Sequence, residues 1–221
     1  SAAERLLRAA AAAGGAVSGM SSTMCGLALA VAMLLPVAAL AAEAARKIDA
    51  GPLTAADFRG QPPENPAGAA NTATQLRFSF GYRHQRIGGR ATVTVLNVSI
   101  DAYVIQDASW NRQPADILLL EHEQGHADIA WIQCLKARLA VRERLTKRRG
   151  WMAAAPKHEE ALAEVSRELS ELITTYHEEG LRADAEYDRE TQHGLGPRQG
   201  EWRRVQAATI EELEAKLAKR R

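Results

Sequence analysis

The chain has 221 residues, of which 46% are hydrophobic and 25% are charged, a composition typical of globular proteins and not of disordered chains. Lysine and arginine together number 28 and aspartate and glutamate 27, so the net charge of +1 excludes a nucleic-acid binder that works through bulk positive charge. Two cysteines are too few for a disulfide scaffold.

The chain begins with a segment typical of an export signal. Residues Cys25–Ala42 form an uncharged apolar run, and Ala-Leu-Ala at 39–41 matches a small-x-small cleavage site. Pro36 interrupts the run, which is also short for a transmembrane helix. We therefore predict that residues 1–42 hold a signal peptide and its preceding segment, and that the protein is exported, periplasmic or secreted, and meets the membrane only through this segment. A retained anchor is the alternative, and a translation start at Met20 or further upstream is left open.

The next part of the chain is predicted to open as a loop and to continue as a β-hairpin. Residues 43–73 are rich in Pro, Gly and Ala and form a lead-in with few periodic apolar positions. Alternating apolar residues predict strands over 75–84 and 91–105, joined by a slightly longer loop around Gly88 and Gly89. The two strands are expected to form a small antiparallel sheet with one packed face.

Helical periodicity replaces the strand pattern after the hairpin. Pro114 suits the first turn of a long helix that Gly150 can end. A second long helix is predicted from about 156 to 191, and a shorter one from about 199 to 218. Residues 74–221 are therefore predicted to be one α+β domain, in which a small antiparallel β-hairpin or sheet packs on two long helices and one shorter C-terminal helix.

Two further features of the first helix have structural interpretations. Lys136 and several arginines enrich its last turns, and we expect a solvated face that complements the helix dipole rather than a polyanion site. Leu118 is expected to open the apolar stripe of this helix. Cys134 is expected to be a small buried residue rather than a reactive thiol.

The first predicted helix also carries an H-E-x-x-H motif, formed by His122, Glu123 and His126. Four residues advance a helix by little more than one turn, so both imidazoles face the same way and can bind one metal ion. Neutral imidazole nitrogens suit zinc, and Glu123 can accept the proton that a zinc-bound water loses. The alternative is a pair of ordinary helical histidines, but the motif arises by chance in such a composition at a rate of roughly one per cent.

A catalytic zinc site takes a third protein ligand and leaves one position for solvent. Candidate groups concentrate in Tyr187–Gly194, at the end of the second predicted helix, which a pair of antiparallel helices would bring back to the start of the first. His193 is the first choice as third metal ligand. Asp188 is the second, either as a ligand or as the carboxylate that orients a ligating imidazole. The remaining histidines are expected to be ordinary polar residues: His84, His158 and His177.

These blocks together resemble a family of exported bacterial proteins, the predicted secreted zinc-dependent proteases. The resemblance rests on pieces that occur in one order over most of the chain beyond the signal segment: Leu53–Gly60, Ser109–Trp110, Leu119–Ala130, Tyr187–Gly194, and Gln199 with Trp202. Ala55 stands where a tryptophan is common in the family, and Ala127 where an aromatic residue is common. The resemblance implies a metal site on the two histidines of the H-E-x-x-H motif, with Glu123 as base and His193 as third ligand.

We therefore expect a zinc-dependent metallohydrolase, of the peptidase kind, that acts outside the cytoplasm on a protein or peptide substrate and not on nucleic acid. Two alternatives stay open. One is a non-catalytic exported protein whose metal site is structural, with Asp188 as a fourth ligand, and which serves in binding or envelope structure. The other is a hydrolase of non-peptide amides or esters. The sequence gives neither the substrate nor the oligomeric state.

Overall fold

The structure is a computed structural model that describes residues 44–66, 68–147 and 150–219. The predicted signal segment, residues 1–42, lies outside the described residues. Among the residues that are described, no helix is both long and apolar enough to cross a membrane.

A long antiparallel hairpin forms the centre of the main sheet. Strand β3 (Thr74–Ile87) pairs along its length with β4 (Arg90–Ile105). Both strands are longer than predicted, β3 by four residues and β4 by one. Gly88 and Gly89 connect them with φ angles of 56° and 79°. A two-residue turn with positive φ at both positions matches the twist of the flanking strands. The connection is therefore tighter than the predicted loop, because two glycines adopt this conformation without strain.

Short strands complete two sheets. The free edge of β4 pairs with β1 (Ala45–Lys47) near its end and with β6 (Met152–Ala155) near its start, both antiparallel. A second sheet joins β2 (Ala70–Asn71) to β5 (Trp110–Asn111). The lead-in of residues 43–73 thus contains two strands where the sequence predicted a loop. It also contains two single 3₁₀ turns, at Ile48–Ala50 and Ala55–Asp57.

Three helices pack with the sheet, and the α+β architecture predicted from the sequence is confirmed. They are α1 (Ile117–Thr146), α2 (His158–Thr191) and α3 (Gln199–Ala218). The carboxylate of Asp116 accepts hydrogen bonds from the backbone N–H groups at positions 118 and 119, at 2.9 and 3.1 Å. This cap satisfies donors that the first turn leaves free, so α1 begins three residues after Pro114.

Helix α1 is buried on two sides. Small side chains such as Ala130 and Cys134 join the core that it shares with the sheet and α2. Larger ones such as Ile129 and Ile132 pack with Trp202 of α3. Burial raises the pKa of the Cys134 thiol to about 12, so this residue is the inert buried thiol that was predicted.

The basic end of α1 is only in part the solvated face that the sequence predicted, because Arg144 and Lys147 are exposed whereas Lys136 is buried. Lys136 is only 5% exposed, and burial lowers the pKa of its ammonium group. Arg138 donates to the carbonyl of Ile100 in β4 at 2.7 Å. Arg142 donates to the carbonyl of Leu217 in α3 at 3.0 Å. These arginines tie α1 to its neighbours through carbonyl groups that no sequence pattern reveals.

Candidate metal centre

The candidate centre lies where the first turns of α1 meet the last turns of α2. The two helices are antiparallel, as the third-ligand prediction required. His122 and His126 extend from α1, and Asp188 extends from α2. The Nε2 atom of His122 lies 3.0 Å from Asp188 Oδ1, and the Nε2 atom of His126 lies 3.1 Å from the same oxygen. The two imidazoles therefore converge, as the motif predicted.

The spacing of these donor atoms suits a single divalent cation. Ligands bound at 2.0–2.2 Å to a tetrahedral zinc lie about 3.3–3.6 Å from one another. Both Nε2-to-Oδ1 distances are within a few tenths of an ångström of the lower value, so small shifts of the side chains would fit these donors to one ion. His122, Glu123 and His126 also each offer one donor atom, with all three atoms within 4.8 Å of one another. The cluster can therefore hold a metal ion, and its nitrogen and carboxylate donors fit zinc.

The end of α2 brings His193 to the edge of this cluster. Gln192 and His193 adopt left-handed φ angles of 51° and 53°, and Gly194 follows at 88°. His193 Nδ1 lies 3.4 Å from Asp188 Oδ1, and these two residues with His122 form a second set of donors within 4.8 Å. The His193 side chain is 62% exposed, whereas that of Asp188 is 31% exposed. Both candidates thus lie beside the motif histidines, and His193 as third ligand stays a prediction.

Each motif histidine has a partner on its second ring nitrogen. Asp184 Oδ1 lies 2.9 Å from Nδ1 of His126. Thr191 Oγ1 lies 3.4 Å from Nδ1 of His122, and this hydroxyl donates its own proton to the carbonyl of Tyr187 at 2.7 Å. Once a cation took the Nε2 atoms, an acceptor at Nδ1 would keep the remaining proton on that nitrogen, which is the tautomer that binds metal.

Asp184 was not singled out from the sequence, although it lies one helical turn before Asp188 and so shares its face. Burial lowers the pKa of His126, but the hydrogen bonds to the two aspartates outweigh it and raise that pKa to about 10. Burial raises the pKa of Asp188, but the contacts of its carboxylate with both motif histidines outweigh this effect. They hold the pKa of Asp188 well below its usual range. Without a cation, a charged His126 therefore faces two carboxylates.

Glu123 is buried beside the convergent imidazoles and is held by a residue from another part of the chain. The hydroxyl of Thr72 donates to Glu123 Oε2 at 2.6 Å. Burial raises the pKa of Glu123, while His126 and the Thr72 hydrogen bond oppose this change. A carboxylate with a raised pKa is suited to accept a proton near neutral pH. No sequence pattern pointed to Thr72, which lies 51 residues from its partner.

Tyr187 forms the packed floor of the centre. Its ring stacks on His122 with centroids 4.7 Å apart and an interplanar angle of 13°, and its hydroxyl donates to the carbonyl of His122 at 3.2 Å. A Cβ atom on Gly125 would lie 2.8 Å from Cε1 of Tyr187. Gly194 also packs on His122, where a Cβ would lie 3.1 Å from the Cβ of His122. The two glycines therefore allow the close packing that holds this imidazole.

A cleft of about 860 Å³ opens over the centre. Its walls come from residues 68–74, the start of α1, the second half of α2 and the turn after α2. His177 lines this cleft. His84 and His158 do not line it, and their rings lie 4.3 Å apart next to each other.

No protein-family model, curated protein or solved structure matches the chain.

Proposed function

We propose that the protein is a zinc-dependent peptidase that acts outside the cytoplasm. One observation carries this proposal. The Nε2 atoms of His122 and His126 converge on one carboxylate oxygen of Asp188, and the buried carboxylate of Glu123 lies beside them at the base of an open cleft. The uncharged apolar run before residue 43 supports the extracytoplasmic location.

In the proposed reaction, His122, His126 and Asp188 would hold the cation. Bound zinc would lower the pKa of a water molecule to about 7 and polarise a carbonyl group. Glu123 accepts the proton of the attacking water and later donates it to the leaving amine. Thr72 keeps the Glu123 carboxylate oriented by its hydrogen bond.

The distances favour Asp188 as the third protein ligand. Its Oδ1 atom contacts both motif imidazoles, whereas His193 reaches the cluster through a single 3.4 Å contact with Asp188. This assignment reverses the order in which the sequence ranked the two residues. With three protein ligands, one coordination position would be left for solvent or substrate.

A second candidate function rests on the same contact. If His193 joins the other three donors, four protein ligands close the coordination sphere, which is typical of structural zinc sites. The protein would then be a non-catalytic exported protein with a metal-stabilised fold. The number of protein ligands therefore separates the two candidate functions.

The Glu123→Gln variant tests the catalytic proposal. We expect it to bind zinc as the wild type does and to hydrolyse peptides at least about 100-fold more slowly, because the amide cannot accept a proton. Hydrolysis is measured on a pool of internally quenched peptides, and metal content by mass spectrometry. Glu178→Gln, an exposed carboxylate on α2 outside the cleft, is the matched control. A Glu123→Gln variant that cleaves as fast as the control would refute the role of the base.

A further inference from the structure

The cleft over the candidate metal centre is elongated. Along α2 its wall is formed by His177, Leu181, Asp184 and Asp188. Their spacing of four, three and four residues places them on one face, and eleven residues of helix extend about 16 Å. An extended polypeptide rises about 3.3 Å per residue, so this wall matches a segment of about five residues. The shape suits an extended chain better than a compact small molecule.

The opposite wall offers the edge of a β-strand. Strand β2 pairs with β5 on one side, where the carbonyl of Ala69 accepts from the backbone N–H of Arg112 at 2.9 Å. Backbone groups alternate along a strand, so those of Ala70, which lines the cleft, belong to the other edge. Within the described part of the chain, no strand pairs with that edge. An extended peptide can add there as a further strand.

Three strongly exposed leucines line the same cleft. Leu118 is 65% exposed, Leu181 54% and Leu195 90%, and each comes from a different element. Leu181 lies two helical turns before Asp188 on α2, and Leu195 lies in the turn that follows α2, so apolar side chains reach the cleft from the helix before Asp188 and from the turn after it. Single exposed leucines are ordinary, but three around one cleft indicate an apolar ligand.

The charge of the cleft disfavours acidic ligands. Among the described residues that line it, none is lysine or arginine, while four are acidic: Asp116, Glu123, Asp184 and Asp188. A ligand with carboxylates or phosphates would meet these like charges in the cleft, with no lysine or arginine among the described lining residues to pair with it.

We propose that the cleft binds an extended, non-acidic polypeptide segment, with apolar side chains on both sides of the bond placed over the centre and with backbone pairing to β2. This inference rests on the proposed peptidase function and names its substrate class. The leucines act in recognition, and the backbone of Ala70 sets the direction of the bound segment.

The test measures binding apart from turnover. Zinc-loaded Glu123→Gln protein is titrated with fluorescent eight-residue peptides that carry either leucine or aspartate on both sides of the central bond. We expect the leucine peptide to bind at least about tenfold more tightly, since partial burial of one leucine side chain accounts for such a factor. Leu181→Ser and Leu195→Ser in the same background should each weaken its binding by several-fold. Leu96→Ser is the matched control, because this leucine is 56% exposed and does not line the cleft.

The outcomes separate this inference from the proposed function. Equal binding of the two peptides, no binding of either, or leucine variants that behave as Leu96→Ser does would overturn the inference. Selective binding without hydrolysis by the wild-type protein would support the inference as a statement about the ligand and would refute the peptidase proposal. Loss of binding when the backbone amides of the leucine peptide are methylated one at a time would support pairing with β2, and insensitivity at every position would overturn that part.

Discussion

The identity of the third ligand can be measured by replacing Asp188 and His193 separately with alanine. Asp188 Oδ1 lies 3.0 and 3.1 Å from the two motif Nε2 atoms, whereas His193 Nδ1 makes one contact of 3.4 Å and its side chain is 62% exposed. Residues that merely orient a zinc ligand change metal affinity by about 10- to 100-fold when they are removed. Removal of a true ligand should therefore exceed this range.

We expect Asp188→Ala to weaken zinc binding by more than about 100-fold, which corresponds to about 2.7 kcal/mol or more. We expect His193→Ala to weaken it by less than about tenfold, because an exposed imidazole at the rim contributes little when the other donors converge without it. Affinity is measured by competition with a chromophoric chelator, and circular dichroism verifies the fold. Glu178→Ala, on the exposed part of α2, controls for the substitution of a helical carboxylate.

Two results would refute this reasoning in different ways. If the His193→Ala variant no longer binds zinc while the Asp188→Ala variant still does, His193 is the third ligand, as expected from the sequence. The assignment of Asp188 from the interatomic distances would then be wrong. If both variants lose zinc by more than 100-fold, four protein ligands close the site and the structural alternative replaces the peptidase.

Three further predictions concern the residues around the ligands. Gly125→Ala should lower the free energy of unfolding by about 1–3 kcal/mol in denaturant titrations, because the added Cβ would overlap the Tyr187 ring. Gly180→Ala is the control and should be neutral or stabilising, because its Cβ would meet only the side chain of Gln133, at 3.4 Å. The apparent zinc affinity should rise about tenfold per pH unit between pH 7 and 9, because metal must displace a proton from His126 below its pKa of about 10; a flat profile in chelator competition would contradict this. Lys136→Met should raise the free energy of unfolding at pH 7 by about 1 kcal/mol, or Tm by roughly 2–4 °C, because burial disfavours the charged amine. This gain should shrink as the pH rises towards 10, where the lysine of the unfolded chain also loses its proton.

The features that were predicted correctly have local causes. The hairpin follows from alternation and from two glycines in sequence, and α3 begins and ends where its apolar spacing does. The convergence of His122 and His126 follows from the pitch of a helix. In each case the residues that determine the structure are within a few positions of one another, so the sequence alone contains the required information.

The features that were missed depend on distant partners. Strand β1 forms only because the end of β4 lies beside it, about 60 residues later in the chain. The Thr72 hydroxyl meets Glu123 for the same reason. Helix α1 has buried residues on two sides, so its apolar positions do not form one stripe. Leu118 was expected to open that stripe and is instead 65% exposed in the cleft, whereas Lys136, expected in solvent, is buried.

The packing around the centre supports its candidate ligands to different degrees, and this difference bears on the proposed function. His122 stacks on the Tyr187 ring and packs closely on Gly194, and His126 is hydrogen-bonded to Asp184. Asp188 belongs to the last full turns of α2 and is held by both. His193 lies beyond the helix, in a left-handed turn with most of its side chain in solvent. If the three more closely packed donors hold the cation, solvent can occupy the fourth position, and such an open position is what the proposed hydrolysis requires of a metal centre.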